Sequence, residues 1–375
     1  MKNNNSEIIN FLRFPLTFAV VMVHCRGSIG DGIHWDSMTG MDAYYLLKVA
    51  LSGVLFAVAV PVFFFISGFL FFRNVSQMDR ATYASKMHSR FHSLLIPYVA
   101  WNLLCIPLML LSMYGETLTG TRTQEGLMAF IHNGRWGHVF WDFISKDAPF
   151  DNLFGWTQMK GNPVLFTFWY VRDLMVMTLL SPVIFWYVRK TGWAGFVLAV
   201  AVYVLRLWPY IPIYPSCLFF VFGAYWSLNS LPLAVQGKRT RLLLYFLTLC
   251  LGLAQVRLLG DETYWGAQLY PVFMVVTCLT VFSVADMIRR RHPGIRVPSL
   301  LTKSSFFVYA LHVEFAVPLA FFIGKCVFMQ TNNPLLLSLQ YLFTGVTAYG
   351  ICLAAYAVMK RLMPKTLRVL NGQRI

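Results

Sequence analysis

Six ionisable side chains sit in apolar surroundings where lipid would be the neighbour: Arg13, His24, Arg172, Asp173, His312 and Glu314. Such residues are costly inside a membrane segment, so they usually face a polar interior and mark a functional path. An imidazole there can take a proton from a hydroxyl near neutral pH, and a guanidinium can hold an anion. The stretch INFLRFPLTFAVVMVHCR, residues 9–26, carries one of each. Arg13 and His24 are eleven residues apart, three helical turns plus about 20°, so they share one helix face about 16 Å apart. They cannot touch. They can line one conduit, with Arg13 toward the cytoplasmic end and His24 toward the outer end. The alternative is that Arg13 snorkels to the headgroups while His24 sits at the far interface. Pro15, just after Arg13, frees backbone carbonyls and can bend the helix there.

Four further stretches carry chemistry. FWYVRDLMVM, residues 168–177, holds Trp169, Arg172 and Asp173. Neighbours in a helix point to different sides, so Arg172 and Asp173 are expected to find partners elsewhere, His312 and Glu314 among them. In SSFFVYALHVEFAVP, residues 304–318, His312 and Glu314 stand about 200° apart on a helix, so only one faces a given cleft. PVFFFISGFLFF, residues 61–72, places Ser67 and Gly68 among aromatics. Small residues there admit either a packed helix or a ligand. SKMHSRFHSLLIPY, residues 85–98, sets Lys86 and Arg90 four apart, with His92 following. That basic turn suits phosphates, and it equally suits a cytoplasmic membrane face.

The elements that must position these groups are membrane helices. The chain has 375 residues, 58% hydrophobic and 12% charged, with mean hydropathy +0.60. A soluble domain would carry roughly 25% charged residues. A spanning helix needs about 20 mostly apolar residues, and ten runs meet or nearly meet that test: 8–25, 45–72, 92–113, 164–188, 193–208, 214–230, 241–259, 266–288, 304–325 and 335–359. The fold expected is an all-α bundle of about ten transmembrane helices, forming one domain across 1–375. The N-terminus lacks a small-residue cleavage site, so the first run reads as a permanent span. After the last run the chain leaves no room for an appended soluble domain.

Charge placement supports the same picture. The connections 73–91, 189–190, 238–241, 289–303 and 360–375 hold most of the Lys and Arg, while the alternate connections hold most of the acids. By the positive-inside rule both termini are cytoplasmic. The net charge of +16 is thereby topological, and a nucleic-acid role has nothing left to explain. The seven cysteines form no C-x-x-C pair and lie in apolar runs, so they read as small buried hydrophobes and no metal site is expected. The one long connection, 114–163, falls on the outer side and carries Trp136, Trp141 and Trp156. A loop of that length is usually functional; it suits either sugar binding or a lid on the headgroups.

Taken together, these stretches resemble the acyltransferase-3 family of integral-membrane enzymes. The likeness rests on the Arg13-to-His24 spacing, FFFISGFL, the basic turn ending LLIPY, FWYVRDL and SFFVYALH, in that order from residue 9 to residue 312. It implies transfer of an acyl group, often acetyl, from acyl-CoA to a hydroxyl, mostly of carbohydrates. Relatives often show two arginines separated by two residues in the basic turn, where this chain has Lys86 and Arg90. What the resemblance implies for the site is a donor bound by Arg13, Lys86 and Arg90, with His24 as general base. Arg172 or Ser67 would stabilise the oxyanion. Asp173 or Glu314 would orient a histidine, with His312 and Trp169 in support. The partners implied are the lipid bilayer of the cytoplasmic (inner) membrane and a carbohydrate or glycolipid acceptor. The rival reading is a proton-coupled transporter of a small polar solute, which also uses intramembrane Arg, Asp, Glu and His; against it, the two halves show no corresponding broken segments.

Overall fold

The computed structural model describes residues 2–27, 33–118, 139–140, 163–205, 214–258, 264–329 and 331–374, and every regular element among them is helical. In chain order the helices are α1 (Lys2–His24), α2 (Gly40–Lys48), α3 (Ala59–Phe71), α4 (Arg80–Arg90) and α5 (Ile96–Leu118). These are followed by α6 (Trp169–Leu179), α7 (Ser181–Val204), α8 (Tyr214–Leu228), α9 (Lys238–Leu258) and α10 (Tyr264–Arg291). The C-terminal third holds α11 (Ser299–Lys303), α12 (Ser305–Leu311), α13 (Val317–Phe328), α14 (Pro334–Leu362) and α15 (Pro364–Leu370). Wide π-type turns at Val49–Leu55, Phe91–Leu95 and His312–Ala316 join neighbouring helices. Single π turns of this kind often occur at functional sites.

Local chemistry sets the helix ends. Asp79 caps α4 by accepting from the Thr82 N–H at 2.8 Å. Thr39 and Asp42 form a reciprocal capping box at α2. Asn333 caps α14, with Pro334 at its first turn. Each supplies oxygen to backbone N–H groups that a helix start leaves unpaired.

Six helical stretches among the described residues are long and apolar enough to cross a membrane: Asn4–His24, Gly40–Phe71, Lys238–Leu258, Leu269–Arg291, Ser305–Phe328 and Pro334–Leu362. A seventh arises if the pair Phe166–Leu179 and Ser181–Val204 counts as one broken span. The run expected as one straight span over 164–188 is therefore bent, by 63° at its middle. The two helices meet at Leu180, and Pro182, which cannot continue an incoming helix, stands at the start of α7. Within α7 the backbone breaks again at Gly192, whose φ of 51° suits a residue without Cβ. Helix α9 lies at the rim: Leu242, Phe246, Leu249 and Leu253 are all exposed. An apolar patch that size is tolerable only against lipid.

Helix α3 is the axis of the bundle. It packs along α8 so closely that a Cβ on Gly68 would collide with the Phe220 carbonyl, and one on Gly223 with the Phe65 carbonyl. Small residues allow this backbone approach. Two of the connections rich in Lys and Arg, 73–91 and 289–303, lie against the start of α1. There Arg73 donates to Ser6 at 2.9 Å, Asn4 donates to Asp286 at 3.1 Å, and Arg289 pairs with Glu7. At the other side, Val164 N–H donates to the Val139 carbonyl at 2.9 Å, and Leu165 N–H to Asn102 Oδ1 at 3.0 Å. These bonds tie the C-terminal edge of the long connection to its own Val139 and to α5; Trp136, Trp141 and Trp156 lie outside the described residues.

Candidate active site

One face of α1 presents Arg13, Thr17, Val20 and His24 to a cavity of about 530 Å³. The spacing four, three, four keeps them in a line along the helix. Their shared face, legible in the sequence, thus lines one internal space. Helix α3 supplies the facing wall through Phe63, Ile66, Ser67 and Leu70, and α6 adds Trp169, Tyr170 and Leu174. The volume falls within the usual range for small-molecule sites, roughly 300–1,000 Å³.

At the far end, the His24 ring has Phe166 at 6.0 Å and His312 at 5.1 Å between ring centroids. His312 is fully buried. Its Nδ1 lies 2.7 Å from the Tyr309 carbonyl, and a carbonyl only accepts, so Nδ1 carries the proton. In the neutral ring Nε2 is then an acceptor, and it has no partner among the described residues. The π turn that begins at His312 sends Glu314 elsewhere. That residue is buried outside the cavity lining, and neither carboxylate oxygen is hydrogen-bonded among the described residues. Neither residue lines the cavity itself; His312 meets it through the His24 ring.

The opposite end is cationic. Arg13, Arg90, Lys303 and Arg374 all line it, joined by Thr302 and Ser305. Among the described residues none of the four cations forms an ion pair with a carboxylate. Burial holds the Arg90 guanidinium below its usual range. Burial, and then Arg90 and Arg13 as like charges, push Arg374 down to about 10. Crowded cations without counter-charges favour a bound anion.

In the middle of the wall, Ser67 Oγ and Tyr170 Oη lie 3.1 Å apart. Tyr170 meets Tyr309 edge-on at 5.6 Å, and Tyr309 donates to the Thr167 carbonyl. A chain of contacts therefore runs from Ser67 through Tyr170 and Tyr309 to His312. Ser67 and Gly68 resolve the two readings of the small pair, since Gly68 takes the helix contact and Ser67 faces the cavity.

Two expectations are corrected. Arg172 and Asp173 do pair: Nε and Nη2 of Arg172 reach Asp173 Oδ1 at 2.8 and 2.6 Å, with both residues buried. Side-chain direction at Cβ misled, because the long arginine arm folds back over its own turn. Arg172 is also outside the cavity lining. Lys86, expected on an anion, donates instead to the Phe71 carbonyl at 2.8 Å and leaves the cavity to Arg90. That bond satisfies a carbonyl left open where α3 ends, a common role for a basic side chain.

Sequence reasoning missed Arg374, Lys303, Tyr170 and Tyr309 as cavity residues. The signal for Arg374 was Asn371–Gly372, an Asn-Gly pair that turns the chain back on itself. The tyrosines gave none, being lost among 18 Tyr and 33 Phe.

Comparison with known families places this arrangement. The acyltransferase-domain model of the acyltransferase-3 family matches residues 7–357, nearly the whole chain. No curated protein and no solved structure matches it.

Proposed function

Because the chain belongs to the acyltransferase-3 family of membrane acyltransferases, we propose that it is an acyl-CoA-dependent O-acyltransferase of the inner membrane. The group moved is acetyl by preference, and the acceptor is a hydroxyl of a carbohydrate or exported glycan. One observation carries this reading: a single cavity has a cluster of cations without carboxylate partners at one end and a histidine at the other, with Arg13 and His24 on one face of α1.

The basic end faces the cytoplasm in this reading, where the donor's phosphates meet Arg13 and Arg90. The pantetheine arm runs along the apolar wall and brings the thioester toward His24. Neutral His24 removes the acceptor hydroxyl proton as the oxygen attacks the thioester carbon. The tetrahedral oxyanion takes hydrogen bonds from hydroxyls in the wall, Ser67 and Tyr170, in place of the Arg172 expected from the sequence. Collapse breaks the C–S bond, the acyl group stays on the acceptor oxygen, and the leaving thiolate takes the proton back from His24. His312, with an acceptor nitrogen beside His24, is suited to hold the base's second N–H.

The test is mass spectrometry of surface glycans from cells with and without the gene, alongside purified protein given labelled acetyl-CoA. A mass difference of one acyl group, with label on the glycan, is the expected result. Solute uptake that ignores CoA would overturn the reading in favour of a carrier.

A further inference from the structure

The C-terminal segment folds into the basic end of the cavity through a series of specific contacts. Helix α15 buries Leu367 and Leu370, and the Leu370 carbonyl accepts from Trp101 Nε1 at 2.9 Å. The chain then reverses. Gly372 has φ 60°, and a Cβ there would lie 2.6 Å from the Ser93 carbonyl oxygen, so glycine is required on both counts. Asn371 is fully buried, and its Nδ2 donates to the carbonyls of Lys303 at 3.0 Å and Arg374 at 2.6 Å. This ties the reversed tail to two cavity residues at once.

The turn delivers one side chain. The Arg374 guanidinium lies over the Phe306 ring at 4.4 Å, and its Nη2 donates to the Ser93 carbonyl at 3.1 Å. Its Nη1 is buried and has no partner among the described residues, and the residue lines the cavity. A guanidinium held on two sides with an open N–H beside Arg13 and Arg90 has the geometry of an anion-binding group. Its repulsion by those neighbours is relieved only by negative charge between them.

We propose that Arg374, presented by the turn at 371–372, binds a phosphate group of the acyl donor as the third guanidinium of a site shared with Arg13 and Arg90. The inference rests on the acyl-CoA reading above and adds to it a residue outside the span matched by the family model. Three parts of the chain far apart in sequence would then meet at one ligand, and donor binding would be coupled to docking of the C-terminal turn.

The experiment measures Kd for acetyl-CoA and for acetyl-pantetheine, which lacks the nucleotide phosphates, on the purified full chain in nanodiscs. In Arg374→Gln, affinity for acetyl-CoA is expected to fall about tenfold or more, the effect of one charge-assisted hydrogen bond, while affinity for acetyl-pantetheine holds. Arg374→Lys should recover part of the loss, and Arg368→Gln, on the exposed side of α15, should change neither. Unchanged acetyl-CoA binding in Arg374→Gln overturns the proposal. So does an equal fall for both ligands, which would mark a structural role. If the glutamine variant does not fold, Arg374→Lys is read against the parent by the same two criteria. If the unaltered protein binds the two ligands equally or binds neither, the donor reading itself fails.

Discussion

The imidazole of His24 stands 5.1 Å from that of His312, centroid to centroid and tilted by 63°. One ring lines the cavity. The other is anchored by its Nδ1 to the Tyr309 carbonyl and keeps an unused acceptor. That free acceptor beside the His24 ring is placed to take an N–H from it, as a positioning partner of a base does.

Replacing His24 by Ala is expected to lower acyl transfer by about 10²–10⁴-fold, the usual contribution of a positioned base. Membrane insertion and the unfolding midpoint in detergent should stay near the parent. His312→Ala is expected to lower kcat by about tenfold while leaving KM for acetyl-CoA unchanged, because it acts through His24 and not on the donor. A steady-state kcat/KM split distinguishes the two variants.

Arg13 faces the cavity with no carboxylate partner among the described residues. Arg13→Gln therefore breaks no ion pair among the described residues, and its unfolding midpoint should equal or exceed the parent's, since a half-buried charge among like charges is removed. Its KM for acetyl-CoA should rise. The parent's KM should also climb with salt, because the Debye length shrinks to about 8 Å at 0.15 M, and the climb should be shallower in the variant.

The pair Arg172 and Asp173 is buried, so neutralising one partner removes a buried charge-assisted contact. Asp173→Asn is expected to cost about 3–5 kcal/mol of stability. The double replacement Arg172→Met with Asp173→Leu should recover most of that loss. Detergent unfolding of the three variants checks the order; equal stability of Asp173→Asn and the parent would show that the pair contributes nothing.

Gly68→Ala pushes a methyl group into the Phe220 carbonyl and is expected to destabilise by about 1–3 kcal/mol. Ser67→Ala, one residue earlier, loses a hydrogen bond to Tyr170 and should cost only about 0.5–1.5 kcal/mol. Its larger effect should be on kcat, through the oxyanion.

Much of the site could be read from the sequence because it lies on single helices. The Arg13-to-His24 face follows from helical periodicity alone, and apolar length finds the six straight spans among the described residues. What escaped depends on arms and bends. The Arg172 side chain is long enough to return to its neighbour, which no Cβ direction reveals. Lys86 answers an open carbonyl at Phe71, a need created only once α3 ends there. Arg374 reaches the cavity through a reversal at Gly372, and the distances that bring it beside Arg90 span most of the chain. The bend at Leu180 likewise follows from a proline placed inside a continuous apolar run.

Ser67 and Gly68 are consecutive, yet one serves the cavity and the other locks α3 to α8 at backbone range. The inner wall is thus the near edge of a two-helix slab whose backbones touch at Gly68 and Gly223. The backbone of such a slab cannot yield to a bulkier acyl chain at that crossing, and only the side chains it turns inward can adjust. The breadth of groups this enzyme accepts should then be set on the other walls, where α1, α6 and α12 border the space.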